Sequence, residues 1–225
     1  MDPHLEEEFA ELISEISYLQ NGKIPRQALK QIRSHKEKAI PFLLPLVKRA
    51  DSHLMSPHFV GHVYAYYLLA ELEAMELFPL LIESLMQHEV EEEHPLAHFL
   101  QDDGARILAS VYNGNLSMIK LVIELNQAYP YARAQAIRSL VILVFSNELD
   151  RQDVLLYFKH LLKIETNWYV TTQIVMAFTA LYPDEVYPEI EAAYQRGNVD
   201  EWMIRLEDVT HTLALQMDIV LHISK

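Results

Sequence analysis

The sequence has no cysteine and only 5 glycines among its 225 residues. Without cysteine the chain forms no disulfide, has no thiolate nucleophile and offers no cysteine ligand for zinc. Few glycines leave little supply of the positive-φ positions that hairpin-rich β proteins and phosphate-binding loops need. The scarcity of glycine therefore favours helices.

Long apolar runs are also missing. The longest purely aliphatic and aromatic run extends from Leu140 to Phe145, whereas a helix needs about 20 apolar residues to cross a bilayer. The first Lys or Arg is Lys23, and acidic residues precede it, which is the reverse of a secretory signal peptide. We therefore expect a cytoplasmic protein with neither a signal peptide nor a membrane-spanning segment.

Positive charge is scarce as well, because 18 Lys and Arg residues stand against 32 Asp and Glu residues, giving a net charge of −14. Such a charge repels phosphate backbones and anionic lipids, so we expect neither nucleic acid nor membrane partners. One segment is an exception, and we name it the basic island: Lys23, Arg26, Lys30, Arg33, Lys36, Lys38, Lys48 and Arg49. We interpret it mainly as a solvated face that pairs with neighbouring acidic helices. A docking patch for an acidic partner is the alternative.

Apolar residues are abundant, at 51% of the chain, and they recur at helical spacing. Pro3 marks the start of a first helix, and Pro25 opens a second one that extends to about Ser34. The last helix is predicted from about Asp200 to Ile223. Its expected buried stripe consists of Trp202, Leu206, Val209, Leu213, Met217 and Val220.

A longer repeat appears when similar apolar segments are aligned at positions 41, 79, 119, 155 and 188. Successive positions are separated by about the length of one helical hairpin. Pro41, Pro79 and Pro188 each follow a large apolar residue, which predicts a helix start, since proline is tolerated in the first turn. The pair Asp102 and Asp103 predicts a further helix start.

Short turns between consecutive helices make antiparallel neighbours, and repeated hairpins bury their faces against one another. We therefore predict an all-α fold, namely a right-handed superhelix (α-solenoid) of about 11–12 helices in antiparallel hairpins. The whole chain, 1–225, is expected to form a single domain. Residues 1–35 provide N-terminal cap helices, residues 36–197 the hairpins, and residues 198–225 a C-terminal capping helix.

Two resemblances accompany this pattern. From Pro41 to Gly197 the hairpins are similar to HEAT-type repeats. The stretches 61–70, 106–111, 136–140 and 205–209 together resemble an uncharacterised bacterial family of unknown function, over nearly the whole chain. These resemblances imply the fold and leave the function open.

Histidines are the best chemical lead, because histidine is a common metal ligand and a near-neutral acid or base. His58 and His62 are predicted to share one helix face, as are His94 and His98, with carboxylates near the second pair. We interpret both pairs as ordinary polar residues, with a metal site as the alternative. No cofactor is expected.

Tyrosines form a second cluster, which we interpret mainly as core packing, with Tyr66 or Tyr67 pointing inward. A recognition groove is the alternative. The cluster comprises Tyr64, Tyr66, Tyr67, Tyr129 and Tyr131.

The leading functional hypothesis is a non-enzymatic adaptor that holds a protein or peptide along the concave face of the solenoid. The second helices would line this face, which makes Lys120, Glu124, Lys159 and His160 the candidate contacts. One alternative is a metal-dependent or acid-base enzyme with its site around His88 to Asp103. The other is a structural subunit that assembles with copies of itself.

Overall fold

The computed structural model describes residues 3–18, 23–50, 58–86 and 95–223. Across these ranges the chain forms helices and no β-strand, which confirms the predicted all-α class. The residues cluster into two compact units, unit 1 (Met1–Tyr129) and unit 2 (Pro130–Lys225).

Unit 1 contains seven described helices. They are α1 (Pro3–Ser17), α2 (Arg26–Ser34), α3 (Lys36–Ala50), α4 (Gly61–Glu71), α5 (Leu77–Met86), α6 (Pro95–Ser110) and α7 (Leu116–Glu124). Helix α3 packs against α1 and α5, α4 packs against α6, and α5 packs against α7. These helices therefore contact helices two positions away in the chain, and several of them also contact helices next to them in sequence.

Amphipathic spacing explains how these helices bury one face. In α2, Ala28, Leu29 and Ile32 are buried, as predicted, while Arg26 and Lys30 are exposed. Residues three and four apart lie on the same side of a helix, so the apolar and basic residues separate onto opposite faces. The basic residues Arg26, Lys30 and Arg33 thus lie on the solvent side of α2.

Unit 2 contains α8 (Pro130–Phe145), α9 (Arg151–Ile164), α10 (Trp168–Ala180), α11 (Tyr187–Gln195) and α12 (Leu206–Ile223), with a 3-10 turn at Asp184–Val186. Helix α8 packs against α10, and α9 packs against α11. Asp150 and Asn167 cap α9 and α10 with their side chains, each of which accepts two backbone N–H bonds. These caps fix where the two helices begin.

Three predicted boundaries are wrong. Pro41 lies inside α3, which begins at Lys36, because packing against α1, α2 and α4 outweighs the local cost of an internal proline, about 3 kcal/mol. Asp102 and Asp103 lie inside α6, which begins at Pro95. The last helix begins at Leu206 and not near Asp200. Starts near Pro79 and Pro188 are confirmed.

Polar side chains join residues about one hairpin apart in each unit. In unit 1, Arg33 pairs with Glu71 at 2.7 Å, across 38 residues of sequence. In unit 2, the Arg151 side chain donates to the carbonyl oxygen of Leu181 at 2.7 Å and pairs with Glu185 at 2.8 Å, across 34 residues. Arg151 thereby satisfies a carbonyl at the C-terminal end of α10 and ties it to the start of α9.

Arg151 also links the stability of unit 2 to acidic pH. Its hydrogen bond to the carboxylate lowers the pKa of Glu185 from 4.5 to about 2. A carboxylate with a depressed folded-state pKa stabilises the fold above pH 4.5, and this stabilisation is lost as the pH falls towards 2. Because the Glu185 side chain is 44% exposed, we expect a contribution of about 1 kcal/mol. Urea unfolding of wild type and Glu185→Gln should differ by this amount at neutral pH and converge as the pH falls below 4.5.

Glu148→Gln is the matched control, because Glu148 is an exposed carboxylate in the same unit. At neutral pH its free energy of unfolding should lie within about 0.5 kcal/mol of the wild type. A Glu185→Gln difference that stays constant down to low pH would contradict this assignment.

Candidate binding surface

Aromatic side chains gather where α8 and α10 begin. The rings of Tyr131 and Tyr169 lie 4.6 Å apart between centroids, and Trp168 meets Tyr169 edge to face at 5.7 Å. Helices α8 and α10 pack together, so the aromatic residues of their first turns become neighbours. Trp168 is 53% exposed and Tyr131 is 37% exposed. A partly solvent-facing aromatic group therefore covers this end of unit 2.

A buried ion pair lies in the same region. Arg133 of α8 donates to Glu165, and both side chains are nearly fully buried, at 3% and 5% exposure. The other carboxylate oxygen of Glu165 accepts the backbone N–H groups of Thr166 and Asn167, at 2.9 and 2.7 Å. The pair thereby fixes the backbone that leads into α10.

The turn between α11 and α12 is attached to the first turns of α10. The Asn198 side chain donates to the Thr171 hydroxyl oxygen at 2.9 Å. The Asp200 backbone N–H donates to the Thr172 hydroxyl oxygen at 2.9 Å, and that hydroxyl donates to the carbonyl of Trp168 at 2.7 Å. These bonds hold the turn beside the aromatic residues.

Trp202 projects from this turn into solvent, with 97% of its surface exposed. Its backbone N–H donates to the Asp200 carboxylate at 3.0 Å, so the backbone beneath it is fixed. Trp202 does not belong to the buried stripe of α12 as predicted, because α12 begins at Leu206. Val209 of the same predicted stripe is buried, whereas the side chains of Met217 and Val220 lie outside the described residues. We name these residues the aromatic surface: exposed Tyr131, Trp168, Trp202 and Met203, together with half-buried Tyr169.

Carboxylates surround the same turn. Burial raises the pKa of Tyr194, and the charges of Asp208, Glu201 and Glu207 raise it further. The Tyr194 hydroxyl donates to the carbonyl of Ile204 at 2.9 Å. These three carboxylates therefore lie close enough to Tyr194 to raise its pKa, and Tyr194 itself is bonded to the backbone of the turn.

The four predicted contacts lie in different units. Lys120 and Glu124 belong to α7 of unit 1, where Lys120 is half-buried and Glu124 is exposed. Lys159 and His160 belong to α9 of unit 2, where Lys159 pairs with Glu189 at 2.7 Å and His160 is exposed. Their use as one contact set stays a prediction.

The histidine pair His58 and His62 has a different arrangement from the one expected. His62 is 1% exposed and stacks on Phe59 at 5.6 Å, while His58 precedes α4, so the two do not share a helix face. His94 lies outside the described residues, and His98 lies in α6 with no described side chain. Within the described ranges, no group of three His, Asp or Glu side chains is arranged to hold a metal ion.

Among the five tyrosines of the predicted cluster, Tyr66 alone is buried, so core packing holds for this one residue. Tyr66 is fully buried, whereas Tyr67 is 44% exposed and donates to Asp103 at 2.6 Å. Burial and this hydrogen bond raise the pKa of Tyr67 to about 12. Tyr66 is thus the inward tyrosine of the predicted pair.

Salt bridges support the interpretation of the basic island as a paired, solvated face. Arg33 binds Glu71 at 2.7 Å, and Lys36 lies 4.0 Å from Glu73. All four side chains are at least half exposed.

Membrane insertion finds no support among the helices that the structure describes, since none combines the length and apolar character that a bilayer crossing needs. This agrees with the absence of long apolar runs in the sequence.

Comparisons with known proteins agree with the resemblance seen in the sequence. An uncharacterized protein of Chlamydia trachomatis serovar D is 32% identical over 210 residues, covering 90% of this chain and 82% of the relative. An uncharacterized protein of Chlamydia muridarum is 33% identical over 210 residues, covering 90% of this chain and 83% of the relative. No solved structure matches the chain significantly. The family model described as "Protein of unknown function (DUF1186)" matches residues 7–224, and the chain therefore belongs to this family.

Proposed function

We propose that the protein is a non-enzymatic, cytoplasmic protein-binding module of HEAT-like stacked hairpins, and that the aromatic surface is its binding surface. The observation that carries this proposal is Trp202, a large aromatic residue that is 97% exposed on a hydrogen-bonded turn. Tryptophan is usually well buried and is enriched among the residues that contribute most to protein interfaces. Its exposure here costs hydration free energy that a partner's contact would recover.

Helix packing within each unit supports the solenoid part of the proposal. Helix α5 packs against α3 and α7 in unit 1, and α8 packs against α10 and α9 against α11 in unit 2. Contacts between every second helix are typical of stacked hairpins. Side-chain hydrogen bonds join residues 34 to 38 positions apart, which is about the length of one hairpin.

Preorganisation favours binding by the same surface. Asp200 holds the backbone of Trp202, and Thr172 holds Asp200 against α10. A side chain on a fixed turn loses less conformational entropy when it binds than one on a loose loop. The same Thr172 hydroxyl also donates to the carbonyl of Trp168, which links this turn to the first turn of α10.

Other roles of the chain are predictions from its sequence. Binding along a concave face through Lys120, Glu124, Lys159 and His160, self-assembly of the chain, and its organisation as a single domain stay predictions. An enzymatic site around His88 to Asp103 also stays a prediction, and most side chains of that segment lie outside the described residues.

Substitution of Trp202 by alanine tests the proposal. We expect Trp202→Ala to lose the proteins that the tagged wild type retains from a lysate of the source cell, because an interface aromatic anchor contributes about 2 kcal/mol or more. Since Trp202 is 97% exposed, its removal should change the free energy of unfolding by no more than about 0.5 kcal/mol. Quantitative mass spectrometry of the retained proteins and urea unfolding measure the two effects.

Phe145→Ala is the matched control. Phe145 is 66% exposed and ends α8, about 20 Å along the helix from Tyr131. The Phe145 variant should retain the same proteins as the wild type. Equal retention by the Trp202 and wild-type proteins, or equal loss from both variants, would reject the aromatic surface as the binding surface.

A further inference from the structure

We infer that the aromatic surface binds a basic segment of a partner protein, with Arg or Lys side chains over Trp202 and Trp168 and paired to the carboxylates of the neighbouring turn. This inference rests on the proposed function and adds the chemistry of the partner. It depends on which charges lie around the two tryptophans and on which of them are already neutralised.

Negative charge predominates around Trp202. Between residues 198 and 208 the only Lys or Arg is Arg205, against Asp200, Glu201, Glu207 and Asp208. Asp200 and Asp208 accept backbone N–H bonds from Trp202 and Arg205, at 3.0 and 2.8 Å. Glu201 and Glu207 are exposed, and within the described residues neither forms an ion pair. Two carboxylates beside the exposed tryptophan are therefore available to a partner.

Nearby charges on α8 to α11 do not cancel this excess. Glu165 is neutralised by Arg133, and both are buried. Lys159 is taken up by Glu189, and the side chain of Arg196 donates to the carbonyl of Leu162 at 3.1 Å. Arg196 keeps its charge in this bond and Arg205 is exposed, so residues 196–208 carry four carboxylates against two cations.

Aromatic rings with adjacent carboxylates select cations. A guanidinium or ammonium is attracted to the face of a tryptophan, the best ring for this interaction, by about 0.5–2 kcal/mol. Glu201 and Glu207 would add charge-assisted hydrogen bonds to the same cation. The net charge of −14 would steer a basic segment towards the protein.

Other partners fit the same surface less well. An acidic segment would meet like charge at Glu201 and Glu207. A purely apolar segment would remove these carboxylates from water without giving them a partner, which is costly. Charge complementarity therefore favours a basic occupant over both.

Selection from a phage-displayed library of random short peptides tests the inference, using the full-length protein at physiological ionic strength. We expect the enriched peptides to carry Arg or Lys next to apolar residues. Fluorescence polarisation with the corresponding labelled synthetic peptides should show about thirtyfold weaker binding for Trp202→Ala and about threefold to tenfold weaker binding for Glu201→Lys.

Two variants separate site binding from general attraction to an acidic protein. Phe145→Ala removes an exposed aromatic residue and Glu148→Lys reverses an exposed charge, both at the other end of α8. Both should bind the basic peptides within about twofold of the wild type. Equal weakening by Glu148→Lys and Glu201→Lys would overturn the inference, because binding would then follow net charge alone.

The remaining outcomes distinguish the inference from the proposed function. Enriched peptides that are acidic or uncharged, yet lose binding in Trp202→Ala, would overturn the basic partner and leave the protein-binding function standing. Peptides that bind Trp202→Ala as well as they bind the wild type would overturn both. Light scattering that shows self-association lost in Trp202→Ala would assign the surface to a second copy of the chain and likewise overturn the basic partner.

Discussion

Replacement of Arg133 by methionine is expected to lower the free energy of unfolding of unit 2 by about 3–5 kcal/mol. Arg133 and Glu165 are 3% and 5% exposed, so removing the guanidinium leaves a carboxylate buried without its counter-charge. Two backbone N–H groups, those of Thr166 and Asn167, still bind Glu165 but do not neutralise it. Loss of one member of a buried pair is costly for this reason, although the intact pair itself adds little net stability.

Tryptophan fluorescence during urea unfolding is the appropriate measurement, because the two tryptophans of the chain, Trp168 and Trp202, both lie in unit 2. Arg33→Met is the matched control, and its unfolding is followed by far-UV circular dichroism because Arg33 lies in unit 1. Arg33 pairs with Glu71 at similar distance, but both side chains are 50% exposed, so its loss should cost less than about 1 kcal/mol.

The double variant Arg133→Met/Glu165→Met checks the cause of the effect. It removes the stranded charge and should recover a large part of the stability lost in Arg133→Met. An Arg133→Met variant within about 1 kcal/mol of the wild type, or a double variant less stable than the single one, would show that an unpaired buried charge is not what destabilises the protein.

Helix existence could be predicted from the sequence wherever local signals decide it. Ala28, Leu29 and Ile32 repeat at helical spacing and are buried together, since a 3.6-residue period alone places them on one face. Helix boundaries could not be predicted in the same way. Pro41 lies within α3, because packing against other helices outweighs a local preference for the first turn.

The aromatic surface was missed because its geometry is set by distant residues. Trp202 precedes Leu206 by four positions, which mimics one face of a helix. What holds it outside α12 is the bond from Asp200 to Thr172, 28 residues earlier in the chain. One local signal was present, because Glu207 and Asp208 mark a first helical turn that begins after Trp202.

The expectation that His58 and His62 share a helix face was wrong for a similar reason. Spacing of four residues between His58 and His62 predicts one face only if both lie in a helix, and α4 begins at Gly61. His62 instead stacks on Phe59 in the interior. Burial of an amphipathic ring against an aromatic neighbour cannot be read from spacing, because it depends on how the segment before α4 packs.

Gly61→Val is expected to destabilise unit 1 by about 2–3 kcal/mol. A Cβ atom at this position would lie 3.0 Å from the ring of Phe59 and 3.1 Å from the backbone Cα of Ser17. The ring can shift slightly, but Ser17 is fixed, because its carbonyl accepts the N–H of Val60 at 2.9 Å. Without this close approach, replacing glycine would stabilise the fold by about 0.4–1 kcal/mol through a less flexible unfolded chain. The available space around Gly61 therefore decides whether its replacement stabilises or destabilises unit 1.

Far-UV circular dichroism during urea unfolding measures the loss, and hydrogen exchange locates it. We expect faster amide exchange in α1 and α4, whose contact includes Ser17 and Gly61. Gly61→Ala adds one methyl group and should be destabilised less than Gly61→Val, because the branched side chain adds two further carbons to the same crowded space. A Gly61→Ala variant more stable than the wild type would mean that α1 and the segment before α4 can separate at little cost, and that the close approach of Ser17 to Gly61 does not contribute to holding unit 1 together.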